Sequence, residues 1–317
     1  MNEMMSNSRR YFAGHAAMMG ATIMWGMMSP IAKGVLESGY IDGLALSAIR
    51  IGGGALLFIL ASLLPRSLTG DCKVRGRDLF TLFLASLVMI SANQGLFIIG
   101  IQYTTPVDTS VMCTLTPVFT LLLAAMFIGQ KLTPLKILGV VLGLTGALII
   151  AFAGGKSGIA KNPLLGNMLC IVAQVCAAIY YVFFLNVINK YSPFAIMKWM
   201  FLFSALTYVP AMTPFLMQVE WNALDTSIYL SLGYIILFPT FLAYLIIPFS
   251  QRILKPTVIA MYAYFQPVVA ALLAWVMGLA AFGWSRVAGS ILIFLGVFLV
   301  SFAVKKVRDP KESSVPK

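Results

Sequence analysis

The sequence predicts an all-α polytopic membrane protein, with ten transmembrane helices arranged as two inverted five-helix repeats. Three observations lead there. Hydrophobic residues fill 60% of the 317 positions and charged residues only 10%, with a mean hydropathy of +0.94, whereas soluble domains carry about 25% charge. Apolar runs of membrane-crossing length recur along the chain. The second half also repeats landmarks of the first at an offset of 150 residues.

A helix needs roughly 20 apolar residues to cross about 30 Å of hydrocarbon. The chain offers such runs at about 13–36, 42–64, 79–102, 106–128, 134–153, 163–188, 194–217, 226–250, 256–279 and 283–304. The first follows basic Arg9 and Arg10, like a signal peptide. However, no small-residue cleavage site ends it and Lys33 comes next, so it reads as a retained span. The second is interrupted by Arg50. Leu79–Val107, covering the third span, holds no charge, and neither do Asn162–Asn189, Thr226–Gln251 and Pro256–Ser285. The fifth carries Gly139, Gly143 and Gly146 at spacings of four and three, which lets a second helix approach closely. Breakers fall between runs, at Leu64-Pro65, Gly154-Gly155 and Ser192-Pro193.

The net charge of +12 forms no single patch, so nucleic acid is not an expected partner. Lys and Arg instead mark alternate loops. With a cytoplasmic N-terminus, all but Lys33, Arg50, Lys156, Lys161 and Arg286 of the 22 basic residues fall on the inner side. This places both termini in the cytoplasm of a bacterial inner membrane and requires an even span count. Three of the four cysteines, Cys113, Cys170 and Cys176, lie within apolar runs, and Cys72 lies outside them. Neither a disulfide frame nor a metal site is expected, and no cofactor.

The repeat is the most specific signal. Pro106-Val107 matches Pro256-Thr257, and Thr116-Pro117-Val118 matches Gln266-Pro267-Val268. Lys136 matches Arg286, Gly139 matches Gly289, and Gly146 matches Gly296. The expected units are residues 1–155 and 156–317, the latter ending in a short basic tail. Because each holds five spans, the second enters the membrane inverted. Such repeats recur in secondary transporters, whose substrate site lies between the copies.

The first unit reads MWGMMSPIAKG at 24–34 and GIQYTTPVDTSVMCTLTPVFTLLLAAMFIGQKLTPLKILGVVLGLTGALII at 100–150. The second reads YAYFQPVVAALLAWVMGLAAFGWSRVAGSILIFLGVFLV at 262–300. The chain resembles the EamA-type branch of the drug/metabolite transporter superfamily over nearly its whole length. It departs from the family's usual Gly-Glu pair, with Gly129-Gln130 in one unit and Leu279-Ala280 in the other. The resemblance implies a central cavity framed by spans three, four, eight and nine among others, and an exporter of amino acids or related compounds.

Polar groups within the spans are either interhelical bonds or ligand contacts. Asn93, Gln94, Thr116, Tyr244, Tyr262 and Gln266 are the expected cavity residues. Pro117 removes a helix hydrogen bond and can leave a carbonyl for a ligand. Gln174, Tyr180 and Tyr181 lie in the sixth span, and Tyr103, Tyr191 and Tyr208 suit an interfacial belt. Arg50 is able to snorkel outward, to pair with Glu37 or Asp42, or to bind an anionic substrate group; Lys33 is expected to snorkel. No Asp or Glu falls inside a span, and His15 is the only histidine. That leaves an intramembrane enzyme little to build with and shows no proton relay. A scaffold or channel subunit is the alternative to a carrier, and either a monomer or a homodimer fits.

Overall fold

The computed structural model describes residues 2–104, 106–153, 161–276 and 284–308, and these are predominantly helical, with no strand among them. Lys156, Leu279, Ala280 and the tail beyond Arg308 lie outside the described residues. In chain order the principal helices are α1 (Asn2–Glu37), α2 (Gly43–Ala61), α3 (Gly76–Tyr103), α4 (Pro106–Cys113 continued by Thr116–Phe127) and α5 (Pro134–Ala153). There follow α6 (Pro163–Phe183), α7 (Pro193–Leu216), α8 (Thr226–Gln251), α9 (Pro256–Met261, Tyr262–Tyr264 and Phe265–Val276) and α10 (Trp284–Arg308).

Five of these, α2, α3, α6, α7 and α8, are long and apolar enough by themselves to cross a bilayer. The outward surface is apolar as well. On α10, Ile291, Phe294, Leu295, Phe298 and Phe302 all face outward, a greasy stripe that only lipid can solvate. The chain is an integral membrane protein.

Its local irregularities repeat at the sequence offset. α3 widens into a π-helical turn at Leu87–Ala92, and α8 does the same at Leu237–Leu242, 150 positions later. α4 breaks before Thr116, and α9 tightens into a 3₁₀ turn at Tyr262–Tyr264, just before the matching stretch. A π turn carries one residue too many for the α ladder and loosens the backbone hydrogen bonding there.

Packing between the halves is reciprocal. A methyl group placed on Gly139 would lie 2.7 Å from the Gly296 carbonyl oxygen, and one on Gly296 would lie 2.5 Å from the Gly139 carbonyl. Gly146 meets the Gly289 carbonyl in the same way. Because 139 pairs with 296 and 146 with 289, α5 and α10 run antiparallel. Because Gly289 and Gly296 are the repeat equivalents of Gly139 and Gly146, each position contacts the other's counterpart, as two-fold symmetry requires. The rest of the fold follows the same exchange: α1 packs on α8 and α9, while its counterpart α6 packs on α3 and α4.

Loops gather at two opposite ends of the bundle. At one end Asp78 pairs with Lys190 at 3.0 Å and accepts a bond from Tyr191, Asp71 pairs with Lys198, and Arg252 donates to the Ile188 carbonyl at 3.1 Å. At the other, the Asn162 backbone donates to the Tyr103 carbonyl at 3.1 Å, Gly43 donates to Gln102 at 2.7 Å, and Thr104 bonds Asn167 at 2.6 Å. Lys33 does not snorkel. Its ammonium, buried, donates to the Ile101 and Thr104 carbonyls at 3.2 and 3.0 Å. The unpaired carbonyls ending α3, at the negative pole of that helix, are nearer than water.

Candidate functional site

Where the two halves meet, a cavity of about 60 Å³ is walled by α1, α2, α3, α4, α6, α8 and α9. At roughly 10–15 Å³ for each water, it has room for a handful of them. Several lining residues occur in repeat-equivalent pairs: Gln94 with Tyr244, Thr116 with Gln266, and Cys113 with Ala263. The cavity is thus lined by equivalent positions of the two sequence repeats.

The π turn of α8 organises one wall. Pro239 has no N–H to give the Ile235 carbonyl four residues back, and the Thr240 hydroxyl takes that carbonyl at 2.8 Å instead. The Pro239 carbonyl turns toward its neighbours and accepts Trp25 Nε1 at 2.9 Å. Arg50 reaches the same turn. Its Nε donates to Thr240 Oγ1 at 2.7 Å and one terminal nitrogen to the Pro239 carbonyl at 3.4 Å. Arg50 is only 2% exposed, and none of the ion pairs among the described residues includes it. Among the described residues it is the sole charged one lining the cavity.

Opposite lies an amide-rich wall. Gln94 is buried, and neither its Oε1 nor its Nε2 has a hydrogen-bond partner. Asn93 donates to the Ala173 carbonyl at 2.7 Å, and the Thr116 hydroxyl, whose one proton is shared with the Cys113 carbonyl, contacts Gln174 at 2.7 Å. Trp25, Phe97, Tyr181 and the thioethers of Met18, Met28 and Met89 complete the lining, giving soft apolar surface beside the polar groups.

The sequence of this bundle matches the EamA-like transporter family over residues 12–152 and again over 164–302. The chain belongs to the EamA-like transporter family. Among its relatives is an "uncharacterized transporter" of Archaeoglobus fulgidus, 22% identical over 278 residues, which span 87% of this chain and 94% of that one. A "probable terminal-alkyne amino-acid exporter" of Streptantibioticus cattleyicolor is 30% identical over 141 residues, 44% of this chain and 46% of its own. One crystal structure superposes with a TM-score of 0.69 at 16% identity, covering 94% of this chain and 99% of the other; it shares the fold.

Of the residues expected to frame the cavity of this EamA-like protein, Arg50, Asn93, Gln94, Thr116, Tyr244 and Gln266 are brought together. Tyr262 is not. It lines a separate, largely apolar cleft beside Phe294 and Phe298, where its hydroxyl bonds His15 Nδ1 at 2.6 Å. Four residues before Gln266, it would share that residue's face on a regular helix. The 3₁₀ turn at Tyr262–Tyr264 rotates it toward α1. The carbonyl freed by Pro117 is not left for a ligand either, since the Thr116 hydroxyl takes the Cys113 carbonyl at 2.9 Å. Tyr208 and Tyr191 bond Ser47 and Asp78. Gln130, where the family usually has glutamate, donates to Thr257 at 2.7 Å and so joins α4 to α9.

Trp25 was not among the expected lining residues, although it lies in the stretch at 24–34 that carries part of the family resemblance. The missed signal was positional: its indole docks on a π turn that no local pattern announces.

Proposed function

We propose that this EamA-like protein is a secondary carrier that moves a small metabolite by alternating access, exporting amino acids or related compounds. Ten helical segments cross the inner membrane as two inverted five-helix units, with both termini in the cytoplasm. The reciprocal contacts Gly139–Gly296 and Gly146–Gly289 carry this reading. Two near-equivalent halves around one cavity give inward-open and outward-open states of similar energy, as a carrier requires. The loops gathered at opposite ends agree with the charge-based topology. The cavity holds only a handful of waters, so the halves must part to admit a solute. Amide, hydroxyl and guanidinium groups beside aromatic and thioether surface suit a molecule with a polar head and an apolar body. That one relative is named an amino-acid exporter favours the same class.

The test is efflux from liposomes containing the purified protein and loaded with pooled labelled metabolites. Saturable, protein-dependent release of a small subset is expected, reduced at least tenfold in Gln266→Ala or Asn93→Ala protein that remains monodisperse. Release no faster than from empty liposomes for every compound contradicts the proposal.

A further inference from the structure

We propose that the central cavity is a carboxylate site: the solute docks a negatively charged head on Arg50, and no positive charge is needed for its recognition. This rests on the carrier reading and names the substrate class within it.

The first support is the state of Arg50. A guanidinium removed from water loses several kcal/mol of hydration, and proteins ordinarily return it through a buried carboxylate. Among the described residues its acceptors are one hydroxyl and a distant carbonyl, both on the π turn of α8. Guanidinium carries five N–H donors in a planar fork that matches a carboxylate edge. With Nε taken by Thr240 and one terminal nitrogen weakly held, the fork retains donors for an incoming anion.

The second support is independent. Gln94 lines the same cavity with both amide atoms buried and neither in a close hydrogen bond, the Tyr244 hydroxyl lying beside them. A side chain in that state costs about 1–3 kcal/mol unless something else bonds it. Its Nε2 is a donor suited to a carboxylate oxygen, and Tyr244 Oη, at the repeat-equivalent position, is another.

The third concerns charge balance. No acidic residue lines the cavity among the described residues. An amine entering alone would meet a like charge in a low-dielectric site with no counter-charge. A zwitterion is admissible only through its carboxylate, its ammonium left to amide oxygens and aromatic faces. The surrounding Trp25, Phe97 and methionines suit an aliphatic or aromatic body, so the expected ligand is an amphipathic organic acid.

The experiment compares matched probes on the purified full-length protein at constant ionic strength, with binding read as thermal stabilisation. 4-Methylpentanoate, leucine and isopentylamine share one branched skeleton and carry the acid, both groups and the amine respectively; 3-phenylpropanoate and phenethylamine repeat the comparison on an aromatic body. Stabilisation is expected from at least one of the two acids, at no higher concentration than its amine-bearing counterparts need, and none from either amine. Arg50→Gln should abolish it. Arg50→Lys keeps the charge without the fork and should weaken it roughly tenfold or more while preserving acid over amine. It serves as the deciding variant if Arg50→Gln fails to fold. Binding of an amine as tight as its acid, acid binding that survives Arg50→Gln, loss of acid preference in Arg50→Lys, or no binding by either acid overturns the proposal. The carrier reading falls separately. Transport of an amine in the liposome screen would keep the carrier and discard the carboxylate site, whereas acid binding without transport of any solute would do the reverse.

Discussion

Gln94 and Tyr244 stand 150 residues apart at the same position of the two repeated halves, yet they line one cavity. Tyr244 lies within electrostatic reach of Arg50 and beside Gln94, so a pair made equivalent by the repeat flanks the buried guanidinium of the cavity. The Gln94 amide is the costly member, because both its polar atoms are buried and neither makes a close hydrogen bond, the Tyr244 hydroxyl only lying beside it.

Replacing Gln94 by methionine, of similar length, therefore removes an unsatisfied group without opening a void. The variant is expected to be more stable by about 1–2 kcal/mol and to transport at least tenfold more slowly. Thermal unfolding and liposome efflux on one preparation check both; unchanged transport would show that the amide does not touch solute.

Thr240→Val tests the opposite situation. The Thr240 hydroxyl holds Arg50 and also satisfies the Ile235 carbonyl beside Pro239. Losing it leaves a buried cation with one weak partner, for an expected cost of about 2–3 kcal/mol. Comparing unfolding temperatures at one scan rate gives the answer.

At the α5–α10 contact, a valine at Gly146 would drive its side chain into the Gly289 carbonyl. Backbone cannot retreat as a flexible side chain can, so a loss of about 2–3 kcal/mol or of folded yield is expected. Gly34→Ala is the control. Nothing lies within 4 Å of a methyl group there, and stability should be unchanged or raised by up to about 1 kcal/mol from the lower backbone entropy of alanine.

If the solute crosses as an anion without a proton, its movement is electrogenic. An inside-negative potential contributes about 2.3 kcal/mol per 100 mV toward outward movement of one negative charge. Efflux from liposomes should accelerate when valinomycin and a potassium gradient set that polarity, and slow when it is reversed. Indifference to the potential would indicate a charge-balanced cycle.

Much of this was legible in the sequence because a bilayer imposes simple rules. Apolar runs and loop charges suffice to place helices, and Pro117, Pro267 and the glycines Gly139 and Gly289 betray the repeat. Asn93, Gln94 and Gln266 could be found because amides within an apolar helix need a reason. The failures have a common origin in backbone irregularity. Leu87–Ala92 and Leu237–Leu242 read as ordinary apolar helix, yet both are π turns. The displaced carbonyl of Pro239 gives Arg50 a partner 189 residues away, beyond any local pattern. Tyr262 was misplaced by a 3₁₀ turn, and Lys33 by carbonyls of α3 that sequence spacing does not bring near it.

The inverted relation of the halves is tested most directly at two equivalent loop positions. Leu68 and Gln218 are both exposed and lie 150 residues apart. Each is changed to cysteine in a background where the four native cysteines are replaced, and intact cells are treated with a membrane-impermeant maleimide. Labelling of Gln218→Cys in intact cells, and of Leu68→Cys only after permeabilisation, is the expected result. Labelling of both from the same side would make the halves parallel and contradict the shared carrier cavity.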